Sequence, residues 1–259
     1  MSGAGPAEPT SREGVRAEGA LDRARMIETQ GGRSMRTLAI VLGVAALSAG
    51  IWLFYLVFVE APAEGMAGSV GWIYYLHMPS ALTAHLAFGV AGVCSAGYLL
   101  RKDDRLDAVG VSAVELGAVF AAVALIQGAF WARLGWGEWW VWAARTTSTL
   151  ILALICVAYF VTRNATENPE RGKRFAAIVG VIGIIDIPFI GMSVEWFRAQ
   201  YPDAAVLGPE GIASDPEVWK RVFTGGVAFG FTFFALLLYR YGRERMRRQV
   251  DAMRLGAAA

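Results

Sequence analysis

Six long apolar stretches dominate the sequence, and shorter polar or charged connections separate them. A helix needs about 20 apolar residues to cross the hydrocarbon core of a bilayer, and each stretch approaches that length. The pattern therefore predicts an all-α integral membrane protein with six transmembrane helices. They are expected at Thr37–Val59, Gly71–Leu100, Ala108–Trp131, Thr146–Val161, Phe175–Ser193 and Val222–Tyr239.

The composition supports this interpretation and excludes several classes of protein. Hydrophobic residues make up 56% of the chain and the mean hydropathy is +0.44, which is more than soluble domains usually carry. A net charge of +2 gives no reason to expect a nucleic-acid partner. The two cysteines form no C-x-x-C motif, and there is no P-loop or GxSxG motif. The sequence thus indicates neither a thiol oxidoreductase, an ATPase nor a serine hydrolase.

The basic residues predict the orientation of the chain. The N-terminal tail, the connections at 101–105 and 163–174 and the segment after Tyr239 contain 19 of the 24 lysines and arginines. The positive-inside rule places these segments, and both termini, in the cytoplasm. We expect a mostly disordered cytoplasmic tail at 1–36, a membrane domain at 37–240 and a basic cytoplasmic tail at 241–259. The loops at 60–70, 131–145 and 194–221 would then be extracytoplasmic.

One of these loops carries an unusual density of tryptophan. It reads WARLGWGEWWVWAART and contains five of the nine tryptophans, Trp131, Trp136, Trp139, Trp140 and Trp142. An interfacial aromatic belt accounts for one or two tryptophans at a helix end. Five in one connection that Arg145 closes instead suit a flat, extended ligand.

Three segments carry a resemblance to a known family. The stretch WGEWWVWAART resembles the signature WGxWWxWDxRxT of the haem-handling proteins of cytochrome c biogenesis, and the CcmC type is the most similar. IYYLHMPSAL around His77 and SVEWFRAQYP around Trp196 are similar to the stretches that bear the family's two axial haem histidines. The resemblance covers about residues 37 to 240, with the motifs and six spans in matching order.

The resemblance implies a protein that binds haem b transiently at the outer face of a bacterial inner membrane and presents it to the periplasmic chaperone CcmE. It also implies the ABC transporter subunits CcmA and CcmB and the small subunit CcmD as partners. The implied axial ligands are His77 and Tyr201, and Arg145 and Arg198 would contact the propionates or a partner. The implied haem platform consists of Trp131, Trp136, Trp139, Trp140, Trp142 and Trp196. Such a protein acts by proximity and orientation, so we expect no acid or base catalyst and no conventional enzyme.

Two positions depart from the family pattern. Ala143 stands where the signature has aspartate, and Tyr201 stands where the family has its second histidine. A tyrosinate can bind haem iron, as in catalase. The missing carboxylate could otherwise orient the loop or hydrogen-bond a partner, so we expect Ala143→Asp to strengthen the contact with the chaperone.

Each candidate residue also has an ordinary interpretation. His77 and Tyr201 could be interfacial polar residues, and an isolated arginine often extends along a helix end to reach water. Two rival functions follow from these interpretations. The chain could be an assembly scaffold that has lost haem ligation, or a membrane transporter subunit whose tryptophan-rich loop docks a partner.

Asp186 is the acidic residue that lies deepest within an apolar stretch, GVIGIIDIPFIG. An unpaired carboxylate there would cost several kcal/mol. Glu115 and Gln127 in the third span are candidate hydrogen-bond partners for it. A single carboxylate makes a poor polar path, which disfavours the transporter interpretation.

Overall fold

Six helices make up the described part of the chain. The structure, a computed structural model, describes residues 11–60, 71–196 and 216–258, with side chains at 32–60, 72–134, 137–190, 192 and 216–251. The helices are α1 (Ser11–Phe58), α2 (Gly71–Arg101), α3 (Asp104–Trp136), α4 (Ala144–Asn164), α5 (Pro169–Trp196) and α6 (Pro216–Ala258). Each apolar stretch of the sequence lies almost entirely within one helix, so the predicted all-α fold is confirmed.

Five of the helices are long and apolar enough to cross a membrane, judged over the residues that the structure describes. These segments are Gly32–Phe58, Trp72–Arg101, Asp104–Leu134, Ala144–Asn164 and Pro216–Asp251. Large exposed apolar side chains such as Leu47, Leu100 and Val161 suit contact with lipid. The sixth span, on α5, stays a prediction, as does the cytoplasmic location of both termini.

Both predicted tails continue helices of the membrane domain. α1 begins at Ser11, inside the stretch for which the sequence favours disorder. Alanine, glutamate and arginine are frequent there, and all three are good helix formers that need no apolar face. α6 likewise runs past residue 240 to Ala258.

A tight, capped turn joins α2 to α3. Lys102 adopts a left-handed backbone conformation with φ of 53°. Asp103 follows in an extended conformation, and its carboxylate accepts a hydrogen bond of 2.8 Å from the Arg105 N–H. Such a cap satisfies one of the free N–H groups in the first turn of a helix. The turn makes α2 and α3 antiparallel neighbours.

α2 occupies the centre of the bundle. It packs against α3, α5 and α6, while α4 packs mainly against α5 and α1 mainly against α6. Glycines allow α2 and α5 to approach closely, as is common between membrane helices. A Cβ atom on Gly92 would lie 2.5 Å from Ile184 Cβ, and one on Gly180 would overlap Ser95 Oγ.

A buried ionic cluster of Asp107, Arg163 and Arg248 joins three helices. The Asp107 side chain is 2% exposed, and its carboxylate accepts two hydrogen bonds of 2.7 Å from Arg163. A third hydrogen bond of 2.7 Å comes from Arg248. This Asp107 cluster connects α3, α4 and α6 at the end of the bundle that holds the 101–105 and 163–174 connections. Glu115 pairs with Arg240 and adds a second link between α3 and α6.

Candidate functional site

Much of the chemistry predicted from the sequence gathers at the end of the bundle opposite the Asp107 cluster. α2 begins there at Gly71, α3 ends there at Trp136, and α4 begins there at Ala144. We call this the tryptophan end. It contains His77, Trp131 and the connection 137–143, which leads directly to Arg145 at the start of α4.

The His77 side chain is fixed by a hydrogen bond to the neighbouring helix. Its Nδ1 atom lies 3.0 Å from the Ala124 carbonyl oxygen. Because a carbonyl oxygen can only accept, a neutral imidazole must carry its hydrogen on Nδ1 in this contact. The Nε2 atom then keeps its lone pair. This arrangement is typical of histidines that bind a metal through the other ring nitrogen.

Further contacts hold the backbone around His77. The buried Ser80 hydroxyl lies 2.8 Å from the His77 carbonyl oxygen and 2.7 Å from Gln127 Oε1, and its single hydrogen is shared between these two acceptors. A Cβ atom on Gly128 would lie only 3.2 Å from His77 Cε1. The α2–α3 interface therefore determines both the position and the orientation of the imidazole.

His77 is the first of four aromatic rings that pack edge to face. The His77 ring lies 5.9 Å from the Trp131 ring at 83°, and the Trp131 ring lies 5.2 Å from the Tyr74 ring at 88°. Tyr74 in turn lies 5.8 Å from Tyr75 at 80°. Such edge-to-face pairs each contribute about 0.5–1.5 kcal/mol beyond burial. We call His77, Trp131, Tyr74 and Tyr75 the aromatic row.

The tryptophans after α3 form a more open surface. Trp139 packs 5.5 Å from Phe130, and the Arg133 guanidinium lies 6.0 Å from the Trp139 ring centroid. Trp140 and Trp142 pack 5.6 Å apart. Trp142 is 73% exposed and Trp139 is 56% exposed, so both rings are accessible to a ligand or a partner. In the described part of the chain, none of these three rings contacts His77.

Arg145 brings positive charge to the site. It lies in the first turn of α4 and is partly buried. Its positive charge acts electrostatically on Tyr74 and His77, and also on His85 two turns further along α2. A guanidinium at this end of the bundle could pair with an anionic group of a bound molecule.

The remaining site predictions have no described side chain. Trp136 is the last residue of α3 and Trp196 is the last residue of α5, but their side chains are outside the described residues. Arg198 and Tyr201 lie outside the described residues altogether. The roles suggested for these four residues stay predictions.

The expected partners of Asp186 are engaged elsewhere. Glu115 pairs with Arg240 on α6, and Gln127 accepts the hydrogen bond from Ser80. Asp186 Oδ2 is buried without a hydrogen-bond partner among the described residues. The predicted partnership was wrong because the sequence does not show which faces of α3 and α5 meet.

Sequence reasoning missed three residues at this end, namely Tyr74, Tyr75 and Arg221. Arg221 is 1% exposed, and its guanidinium lies 5.8 Å from the Tyr75 ring centroid. The two tyrosines are visible in the sequence just before His77, within the quoted motif. The signal for Arg221 is weaker, because an arginine at the start of a span usually reaches toward water.

Comparison with known proteins identifies the family of this chain. The family model described as "Heme exporter protein C" matches residues 26–256. Proteins with that name include one from Bradyrhizobium diazoefficiens, 31% identical over 199 residues, which covers 77% of this chain and 76% of the relative. Another is from Escherichia coli, 32% identical over 158 residues, or 61% of this chain and 63% of the relative. A third is from Rhodobacter capsulatus, 29% identical over 208 residues, or 78% of this chain and 83% of the relative. Because the family model spans most of the sequence, this chain belongs to the haem exporter protein C family.

Proposed function

We propose that this protein binds haem at the extracytoplasmic face of the bacterial inner membrane and presents it to a periplasmic chaperone of the CcmE type. Family membership supports a role in haem handling during cytochrome c biogenesis. One observation carries the proposal. The Nδ1 atom of His77 lies 3.0 Å from the Ala124 carbonyl oxygen, which leaves Nε2 able to bind a metal.

The residues of the tryptophan end suit haem in their chemistry. Haem supplies an iron that binds neutral imidazole, a flat apolar macrocycle and two propionates. His77 would be an axial ligand through Nε2. The exposed indoles of Trp139 and Trp142 offer flat apolar surface, and Arg145 offers a guanidinium for a propionate. These groups come from α2, from α4 and from the connection between α3 and α4.

The other predicted site residues complete the proposal. Tyr201 would supply the second axial ligand and Arg198 the second propionate contact. Trp131, Trp136, Trp140 and Trp196 would extend the haem platform. Trp131 has the strongest support of these, because its ring contacts His77 directly.

Presentation to the chaperone would rest on proximity and not on acid–base chemistry. A protein that holds a reactive edge of haem near a nucleophile of the chaperone lowers the entropic part of the activation barrier for their reaction. The proposed partners are CcmE at the outer face, with CcmA, CcmB and CcmD in the same membrane assembly. In this proposal residues 37–240 form the haem-handling domain, and the tails at 1–36 and 241–259 face the cytoplasm.

The proposal is tested by absorption spectroscopy of the protein purified in mild detergent. Haem is added to the wild type and to His77→Ala, and spectra are recorded in oxidised and dithionite-reduced states. We expect a stoichiometric Soret band in the wild type that is lost or shifted in His77→Ala, because that substitution removes the iron ligand.

His85→Ala is the matched control, since His85 lies on the same helix, about two turns after His77, and is also partly buried. Its spectrum should match that of the wild type. An unchanged spectrum in His77→Ala would reject His77 as a ligand. If the wild type takes up no haem at all, the haem-binding proposal itself fails.

An assembly scaffold without haem ligation is the alternative that Ala143 favours, because the signature carboxylate is missing at that position. This function predicts a wild-type protein that takes up no haem but still co-purifies with its membrane partners. Co-purification with CcmE in the absence of haem distinguishes the scaffold from the proposed function.

A transporter subunit has less support, because such a protein needs a polar path across the membrane. Glu115 already pairs with Arg240, and Asp186 Oδ2 has no hydrogen-bond partner among the described residues.

A further inference from the structure

Arg221 is a fully engaged cation at the start of α6. Its side chain is 1% exposed. Nε donates a hydrogen bond of 2.9 Å to the Leu56 carbonyl oxygen at the end of α1, and Nη1 donates one of 3.0 Å to the Glu217 carbonyl oxygen. The guanidinium is therefore held by backbone atoms of two helices.

Two carboxylates balance the charge of this guanidinium. Nη2 of Arg221 lies 3.5 Å from Glu60 Oε2, and Nη1 lies 3.4 Å from Glu217 Oε2. Removing a charge from water is costly, so a buried arginine persists only where partners of this kind surround it. The planar guanidinium uses its fixed set of donors here in a way that a lysine ammonium could not.

The same guanidinium lies on the ring that ends the aromatic row. The Arg221 Cζ atom is 5.8 Å from the Tyr75 ring centroid, which is within the range of a cation–π contact. Tyr75 contacts Tyr74, Tyr74 contacts Trp131, and Trp131 contacts His77. An unbroken series of ring contacts thus leads from Arg221 to the proposed haem ligand.

We infer that Arg221 is a positioning residue for haem binding: through Tyr75, Tyr74 and Trp131 it fixes the orientation in which the His77 imidazole meets the iron. This inference rests on the proposed function. Arg221 itself need not contact haem. Its effect comes from holding the Tyr75 ring, and through that ring the rest of the aromatic row, against the ends of α1 and α6.

The chain offers a matched control in Lys220. Lys220 is the neighbouring cation, and it pairs with the same two carboxylates, Glu60 and Glu217, both at 3.3 Å. Its side chain is 39% exposed and lies over no aromatic ring among the described contacts. If this region acted only through its ion pairs, haem binding would depend on both cations. If it acts through the aromatic row, haem binding depends on Arg221 and not on Lys220.

The experiment measures haem affinity and the iron–histidine stretching frequency, by resonance Raman of the reduced protein, for wild type, Arg221→Gln, Arg221→Lys and Lys220→Gln. The full-length protein in detergent is used, with haem as the added probe. We expect Arg221→Gln to weaken haem binding about tenfold and to shift the stretching frequency, as loss of a group that orients a metal ligand does. Arg221→Lys should recover only part of the affinity. Lys220→Gln should match the wild type in both measurements.

A double-mutant cycle tests whether the effect passes through the aromatic row. In a Trp131→Leu background the row is interrupted, so Arg221→Gln should have a much smaller effect on haem affinity than it has in the wild type. Additive effects of the two substitutions, or a wild-type stretching frequency in Arg221→Gln, would overturn the inference. If Arg221→Gln does not fold, Tyr75→Leu replaces it in the cycle, because it removes the ring and leaves the cation.

Failure of this inference is separable from failure of the proposed function. A wild-type protein that binds no haem refutes the proposed function. A wild-type protein whose haem spectrum depends on His77 but not on Arg221 or Tyr75 refutes the positioning role alone.

Discussion

Ala143 occupies the position before the first turn of α4. Its backbone is extended, with φ of −104° and ψ of 157°, and its side chain makes no cap hydrogen bond. Aspartate is among the best residues at this position, because its carboxylate accepts from free N–H groups of the first turn. An aspartate at this position is therefore expected to cap α4, besides any contact with a partner.

Ala143→Asp should therefore stabilise the start of α4. We expect the free energy of unfolding to rise by about 1 kcal/mol, the typical value of an N-cap. The measurement is the unfolding midpoint of the purified protein in detergent. Because Ala143 is only 5% exposed, a loss of stability would mean that burial of the carboxylate outweighs the cap.

Ala143→Asn separates capping from charge, since asparagine caps a helix about as well and carries no charge. Both variants should gain stability. If the carboxylate also contacts the chaperone, only Ala143→Asp should increase co-purification with CcmE. Equal co-purification of the two variants would limit the signature aspartate to its capping role.

At the scale of elements, the contact between α2 and α5 depends on glycine. Both faces must be nearly flat for these helices to approach, because van der Waals packing holds membrane helices together. Ile184 fills the space above Gly92 so closely that a methyl group there would require the helices to separate.

Gly92→Ala should destabilise the protein by about 1–3 kcal/mol, the usual cost of overpacking, despite the better helix propensity of alanine. Gly89→Ala is the matched control one turn earlier on α2, where a Cβ atom would meet nothing within 4 Å. It should be neutral or slightly stabilising. Thermal unfolding in detergent measures both variants, and equal stabilities would contradict the close approach of α2 and α5.

At the scale of the whole molecule, the Asp107 cluster and the tryptophan end lie at opposite ends of α3. Asp107→Asn keeps the shape of the side chain but leaves two arginines without their carboxylate. We expect a loss of about 3–5 kcal/mol in the free energy of unfolding, as for other broken buried ion pairs.

Asp104→Asn provides the comparison for the Asp107 substitution. Asp104 pairs with Lys173 at 2.7 Å and lies 3.7 Å from Arg248, so it shares one arginine with the Asp107 cluster, but its side chain is 65% exposed. Exposed pairs contribute about 1 kcal/mol or less, so this variant should unfold close to the wild type. Similar losses in the two variants would show that burial does not determine the strength of the Asp107 cluster.

The sequence predicts those features that depend on the chain order alone. The apolar stretches predict the helices, and the motifs locate His77 and the tryptophans. The hydrogen bond from His77 to Ala124, the burial of Arg221 and the pairing of Glu115 with Arg240 could not be predicted in this way. Each depends on which faces of two helices meet, and apolar periodicity does not specify such pairing when most faces are apolar.

The packing of α1 against α6 has a consequence for biosynthesis. Of the described helices, α1 leaves the ribosome before the others and α6 after them, and synthesis proceeds at about 5–20 residues per second. α1 therefore waits in the lipid for roughly ten seconds or more before its main packing partner exists. Arg221 also arrives only with α6. The row of rings beside His77 is thus held at its far end only once α6 has been made, and a chain truncated before α6 would lack the contact that closes the site.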